Sequence, residues 1–145
     1  MDLRKFAQDY IARATERISA AQDALKRGSF PEVIRFSQEA TELSLKAALR
    51  LVGIEYPKVH DVGDVLQLNA KRFPEKFQER IPQFAEFSRE AAAKRSLAMY
   101  GVEASGKTPG QIFDDPVEAG DALGRAKEIL TLCSELLEST DGRVD

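Results

Sequence analysis

Apolar residues recur at intervals of three and four in almost every part of this chain, and no segment sustains the alternation of a strand. That single periodicity restricts the chain to helices packed on helices. Between Asp2 and Lys26 the series is Leu3, Phe6, Tyr10, Ala14, Ile18, Ala21 and Leu25, with Gly28 closing it. Ser29-Phe30-Pro31-Glu32 then supplies a capping serine, an early proline and an acid at the positive end of the helix dipole, so a second helix is expected to run to about Val52, before Gly53. The apolar residues of this second helix sweep roughly two thirds of its circumference, well beyond the stripe of about 100° that a surface helix needs. Such an arc requires cover on at least two sides. The remaining polar arc holds Arg35, Glu39, Glu42, Lys46 and Arg50, with Glu42 and Lys46 at ion-pair spacing, and its plainest reading is a solvated face.

After IEYPKVH, the segment DVGDVLQLNAKRF reads as a short third helix started by Asp61, with Asp64 three positions on as an imperfect capping box. Pro74 and Pro82 punctuate the next stretch of chain. Phe84, Phe87, Ala91, Arg95 and Ala98 line a fourth helix that should stop near Tyr100-Gly101. Asp115 and Pro116 suit the start of a last helix, whose seam runs Ala122, Leu123, Ala126, Ile129, Leu130, Cys133, Leu136 and Leu137. The expected fold is all-α: one domain over residues 1–145, an up-and-down four-helix bundle with a short additional helix between the second and fourth helices.

The stretch Gly101–Thr108, GVEASGKT, matches the phosphate-loop pattern G-x-x-x-x-G-K-[ST]. A working loop needs a strand before it and a helix starting at its Gly-Lys-Thr. Here the end of an amphipathic helix precedes it, and Pro109-Gly110 is a turn pair expected to prevent a helix from starting, so the stretch reads as a mobile glycine-rich linker. A formal net charge of −3 argues against general affinity for nucleic-acid backbones while leaving room for a local basic groove. One cysteine and one histidine rule out an internal disulfide and a cysteine-histidine zinc site, so no metal and no cofactor is expected. No window approaches the apolar run needed to span a bilayer, and the MDLRKFAQDY start lacks a signal-peptide core, so a cytoplasmic location without membrane association is expected.

Several elements in order carry a resemblance: ALKRGSFPEVIRFSQEATELSLKAAL, the Gln38-Glu39-Ala40…Glu42…Lys46-Ala47 run, the His60-Asp61 corner with Leu66 and Leu68, Arg95 with Tyr100, and the long final helix. Together they resemble the HEPN domain, the helical "higher eukaryote and prokaryote nucleotide-binding" domain, over nearly the whole chain. The resemblance implies a compact bundle, commonly a homodimer with a cleft between protomers. It also implies, for many prokaryotic members, a minimal nucleotidyltransferase partner in toxin-antitoxin-like pairs. Other members are metal-independent ribonucleases that use an arginine followed four to six residues later by a histidine. No arginine here has a histidine at that spacing. Arg95-Ser-Leu-Ala-Met-Tyr100 keeps the arginine but offers a phenol, with an ordinary pKa near 10, where an imidazole would serve as base.

The resulting expectation is a HEPN-like binding or accessory module, a homodimer that binds nucleotide or RNA in a cleft or acts with a nucleotidyltransferase. The alternative is a metal-independent ribonuclease with Arg95 and His60 as catalytic candidates. Ligand-binding candidates are Arg95, Tyr100, His60, Glu39, Glu42 and Lys46. For Arg95 and Tyr100 the competing reading is a helix end anchored by a salt bridge and a half-buried ring. His60 either carries a proton beside Glu39 or Glu42 or simply satisfies backbone groups at its corner. Phe36, Leu43 and Leu49 are the expected dimer contacts, on the argument that a small bundle leaves its second helix partly uncovered. Cys133 is assigned to packing, and Phe73, Phe77, Phe84 and Phe87 to the core or a dimer surface.

Overall fold

The computed structural model describes residues 3–141. Four long helices, α1 (Leu3–Lys26), α2 (Phe30–Leu51), α4 (Glu75–Tyr100) and α6 (Pro116–Asp141), form the bundle, with short α3 (Gly63–Leu68) and α5 (Pro109–Ile112) on the connections. Among the described residues there is no strand, only an isolated antiparallel bridge between Val102 and Lys107.

The chain turns sharply where the sequence has glycine at positive φ: Gly28 (73°) after α1, Gly53 (79°) after α2 and Gly101 (66°) after α4. Ser29 occupies the position before α2, but its hydroxyl makes no cap bond, so Pro31 and the Glu32 carboxylate are what favour that start. Pro82 lies inside α4 and does not end it. An interior proline costs about 3 kcal/mol; burial of Phe77, Ile81, Phe84 and Phe87 around it, at about 1.5–3 kcal/mol each, outweighs that cost.

Helix α2 is the hub. It packs against α1, α6 and α4, and α1 also touches α6. Both helices of the α1–α2 contact bury small residues, Ala14, Ala21 and Ala24 on α1 and Ala40, Ala47 and Ala48 on α2, all at 0% exposure. Small side chains let the two backbones approach closely, and the larger Leu45, Leu49, Ile129 and Leu66 fill the remaining space. The wide apolar arc of α2 is thus covered on three sides by its own chain, which removes the premise that a partner is needed to cover it. Leu49 is fully buried in this core and is not available as a dimer contact; Phe36 and Leu43 are only partly buried. Phe73, Phe77, Phe84 and Phe87 belong to the same core, Phe73 stacked on Phe77 at 4.7 Å and Phe77 edge-on to Phe84 at 5.7 Å.

The corner before α3 is built differently from a capping box. Val62, not Asp61, holds the N-cap position, and Asp64 is 92% exposed. Asp61 Oδ1 accepts from the Gly63 amide at 2.8 Å and from the Ser88 hydroxyl at 2.9 Å, while Ser88 Oγ accepts from the Val62 amide at 3.1 Å. Gly63 sits so close to α4 that a Cβ there would lie 2.8 Å from the Ala85 carbonyl oxygen. These contacts tie the corner that carries His60 to the middle of α4.

The GVEASGKT stretch is an ordered turn. The Val102 amide donates to the Lys107 carbonyl (2.8 Å), Lys107 returns a bond to Val102 (3.1 Å), and Gly106 donates to Glu103 (3.1 Å). These amides bond within the turn and do not converge on a phosphate. A helix does begin after it, contrary to the expectation from Pro109-Gly110: Thr108 and Gln111 form a reciprocal capping box, and proline at the first helical position lacks only an amide that would have no helical partner. That helix, α5, lasts four residues.

Candidate functional site

The polar residues of α2 do not form a solvated face. Gln38, Glu42, Lys46 and Arg50 fall at intervals of four, one ladder along the helix, with Glu39 beside it, and α1, α4 and the loop after α2 all send side chains to it. Glu39 is the first junction. Its Oε1 accepts from Arg17 Nε of α1 at 2.8 Å, and its Oε2 accepts from Arg95 of α4 at 3.0 Å, with Arg35 at 3.8 Å. Arg95 also donates to Gln38 Oε1 at 2.8 Å. Gln38, 2% exposed, passes the chain on by donating to Glu42 Oε1 at 2.8 Å.

Glu42 is the second junction. Lys46 Nζ donates to its Oε2 and His60 Nδ1 meets its Oε1, both at 2.8 Å. Burial pushes the Glu42 carboxyl up, but the hydrogen bonds from Lys46, Gln38 and His60 outweigh it, so its pKa lies below the ordinary value. A carboxylate that stays ionised fixes the His60 ring: with Nδ1 donating to Glu42, Nε2 is left as the free acceptor of the neutral imidazole.

Arg13, Arg17, Glu39, Leu43, His60 and Arg95, with Glu42, line one cavity of about 310 Å3. The structure therefore brings Arg95, His60, Glu39 and Glu42 to one place, with Lys46 adjoining through Glu42. It does not bring Tyr100 there. Five helical positions set Tyr100 about 140° around α4 from Arg95, and the ring is 65% exposed, outside the cavity and not half-buried. Sequence reasoning misses Arg13 and Arg17. Their only signal is the i,i+4 spacing on α1, which any solvated helix shows.

The chemistry open to this arrangement is set by its donors. Glu39 engages Arg95 through one terminal nitrogen and Arg17 through Nε, which orients both guanidinium groups and leaves further N–H groups of each for an anion. Cys133, by contrast, is fully buried, and burial pushes its thiol pKa far up, so it takes no part in chemistry at this surface. Among the described residues no group of acidic, histidine or cysteine side chains could hold a metal ion, and no helix is long and apolar enough to cross a membrane.

Comparison with curated proteins and with solved structures finds no significant match. The HEPN domain model matches residues 7–136, a span that begins in α1 and ends in α6 and so includes the Glu39–Gln38–Glu42 chain and its partners. On that match over most of its length, the chain belongs to the HEPN domain family.

Proposed function

We propose that the Arg95 cavity is an anion site for the phosphate of a nucleotide or RNA, and that the chain is a binding module rather than an enzyme. The observation that carries this reading is the shared Glu39 carboxylate, which holds Arg17 and Arg95 side by side with N–H groups to spare. Two guanidinium groups prepared in advance lose little further entropy when a phosphate arrives. Leu43 lines the same cavity and is partly exposed, so a second copy seated on Phe36 and Leu43 would roof the cleft. A homodimer working beside a minimal nucleotidyltransferase fits the family and this placement.

The test is binding of ATP and of a mixed RNA pool, without metal, by wild type and by Arg95→Ala. Loss of a charged hydrogen-bond donor set worth about 1.5–3 kcal/mol weakens binding by roughly 10- to 150-fold. Arg95→Lys, which keeps the charge and loses the fork, falls between them. Unchanged affinity in a folded Arg95→Ala protein refutes the reading.

One observation favours a second reading. The His60–Glu42 pair is an imidazole oriented by an ionised carboxylate in a cavity shared with Arg95, the arrangement a general base needs. Metal-independent RNA cleavage, lost in both Arg95→Ala and His60→Ala, would replace the binding module with a ribonuclease.

A further inference from the structure

Gln38 is 2% exposed near the middle of α2, although glutamine belongs mostly to protein surfaces. It lines neither the Arg95 cavity nor the adjoining one, which shares Arg13 and Glu42 and is also lined by Tyr10, Lys46 and Lys58. Gln38 can therefore act on a ligand only through its neighbours. We propose that Gln38 is the positioning residue of the anion site: a neutral, buried amide that aims Arg95 without neutralising it and ties that aim to the ionised Glu42. The inference rests on the anion site proposed above.

The two ends of the amide leave it one orientation. A guanidinium has only donors and a carboxylate only acceptors, so the amide oxygen faces Arg95 and the amide nitrogen faces Glu42. Both bonds are 2.8 Å long. Turned over, the amide would set donor against donor and acceptor against acceptor, at a depth where water relieves neither. The Glu42 oxygen that accepts from Gln38, Oε1, is also the one that meets His60 Nδ1. One buried side chain thus joins the His60 pair to Arg95.

Direction comes from a second acceptor. Arg95 gives the same nitrogen, Nη1, to Gln38 Oε1 at 2.8 Å and to Glu39 Oε2 at 3.0 Å. A single bond lets a guanidinium swing about its acceptor, whereas two acceptors on successive residues of one helix fix where its plane points. These two bonds use only one of its three nitrogens. Glu39 is already shared, since its Oε1 accepts from Arg17 and Arg35 lies 3.8 Å from its Oε2.

Charge explains why the position holds an amide. A glutamate would also accept from Arg95, but it would set a third carboxylate beside Glu39 and Glu42 and cancel charge that a phosphate is to meet. An apolar side chain would fill the space with no polar atom to bury, and would leave Arg95 on Glu39 alone. The amide aims the guanidinium and leaves its charge in place.

The experiment measures affinity of the full chain for ATP and for a mixed RNA pool in wild type, Gln38→Met, Arg95→Ala and the double variant. Methionine keeps the length and helix preference of glutamine, while Arg95 keeps Glu39, and Glu42 keeps Lys46 and His60, so the fold survives. Binding is expected to weaken about tenfold in Gln38→Met, and to weaken no further when that change is added to Arg95→Ala, because the amide acts through the guanidinium. Wild-type affinity in Gln38→Met, with Arg95→Ala still weakened, overturns the positioning role and leaves the anion site standing. Equal weakening by Gln38→Met with and without Arg95 also overturns it, since that is what a merely structural amide would do. If Gln38→Met does not fold, Gln38→Glu decides: it keeps the shape and the acceptor, is expected to bind about tenfold more weakly through its added charge, and overturns the inference if it binds as wild type does. Wild type that binds neither probe takes down the anion site and this inference together.

Discussion

Ser88→Ala removes a single oxygen that fastens the His60 corner to α4, and its cost can be worked from three bonds. Ser88 is 2% exposed and Val62 is fully buried, so the Val62 amide, 3.1 Å from Ser88 Oγ, loses its partner in a place water does not reach. An orphaned buried donor costs about 1–3 kcal/mol. Asp61 loses the Ser88 hydroxyl but keeps the Gly63 amide at 2.8 Å and is only partly buried, so it adds little. The expected loss is about 2 kcal/mol, or about 6 °C in Tm for a chain of this size. Urea unfolding with an unchanged m-value measures it. Asp61→Ala costs less, and the double variant costs less than the sum of the two, with a coupling of about 1 kcal/mol between Ser88 and Asp61. A loss under about 0.5 kcal/mol for Ser88→Ala, with no coupling, refutes the claim that Ser88 anchors the corner.

Leu49→Ala, at a fully buried position beside Leu45 in the core, should cost about 2–5 kcal/mol in urea unfolding; unchanged unfolding stability combined with altered sedimentation would return Leu49 to an interface. For Glu42, whose pKa is lower in the folded protein than in the unfolded chain, the unfolded state binds the proton more readily. Its contribution to stability is therefore complete above the unfolded value of about 4.3 and is lost as pH falls through the lowered folded value. Glu42→Gln should flatten the acid limb of a stability-versus-pH curve, and a variant curve parallel to wild type below about pH 4.3 would contradict the bonding described for this carboxylate.

The long helices are legible in the sequence because periodicity and glycine act locally. Gly28, Gly53 and Gly101 mark three helix ends, and in each case the backbone turns at positive φ. The features that escape the sequence depend on how helices sit against one another. The polar arc of α2 looks solvated in isolation, and only the docking of α1 and α4 converts Glu39 into a junction between Arg17 and Arg95. Likewise, an arc two thirds apolar cannot say whether its cover comes from this chain or another, since chain order does not reveal that α2 is the central helix. The pairing of Tyr10 with Tyr56, 46 positions apart, carries no local signal at all. Pro82, Pro109 and Asp61 mislead for a different reason: each has a local preference that its surroundings override or redirect. Apolar burial carries α4 through Pro82, Thr108 and Gln111 turn Pro109 into a helix start, and Asp61, one position before the cap, shares its Oδ1 between the Gly63 amide and the Ser88 hydroxyl.

Because α2 supplies both the centre of the core and the ladder of Gln38, Glu42, Lys46 and Arg50, its amides are expected to exchange with solvent only when the whole domain opens, which hydrogen exchange would measure. Gln38, Glu39 and Glu42 are thus carried on the central helix of the bundle, each side chain already bonded to its neighbours. Adjustment falls to the rim, to the exposed side chains of Arg13 on α1 and of Lys58 in the segment after α2, outside any helix. Discrimination among ligands would accordingly be written in the rim, where sequence can change without loosening the bundle.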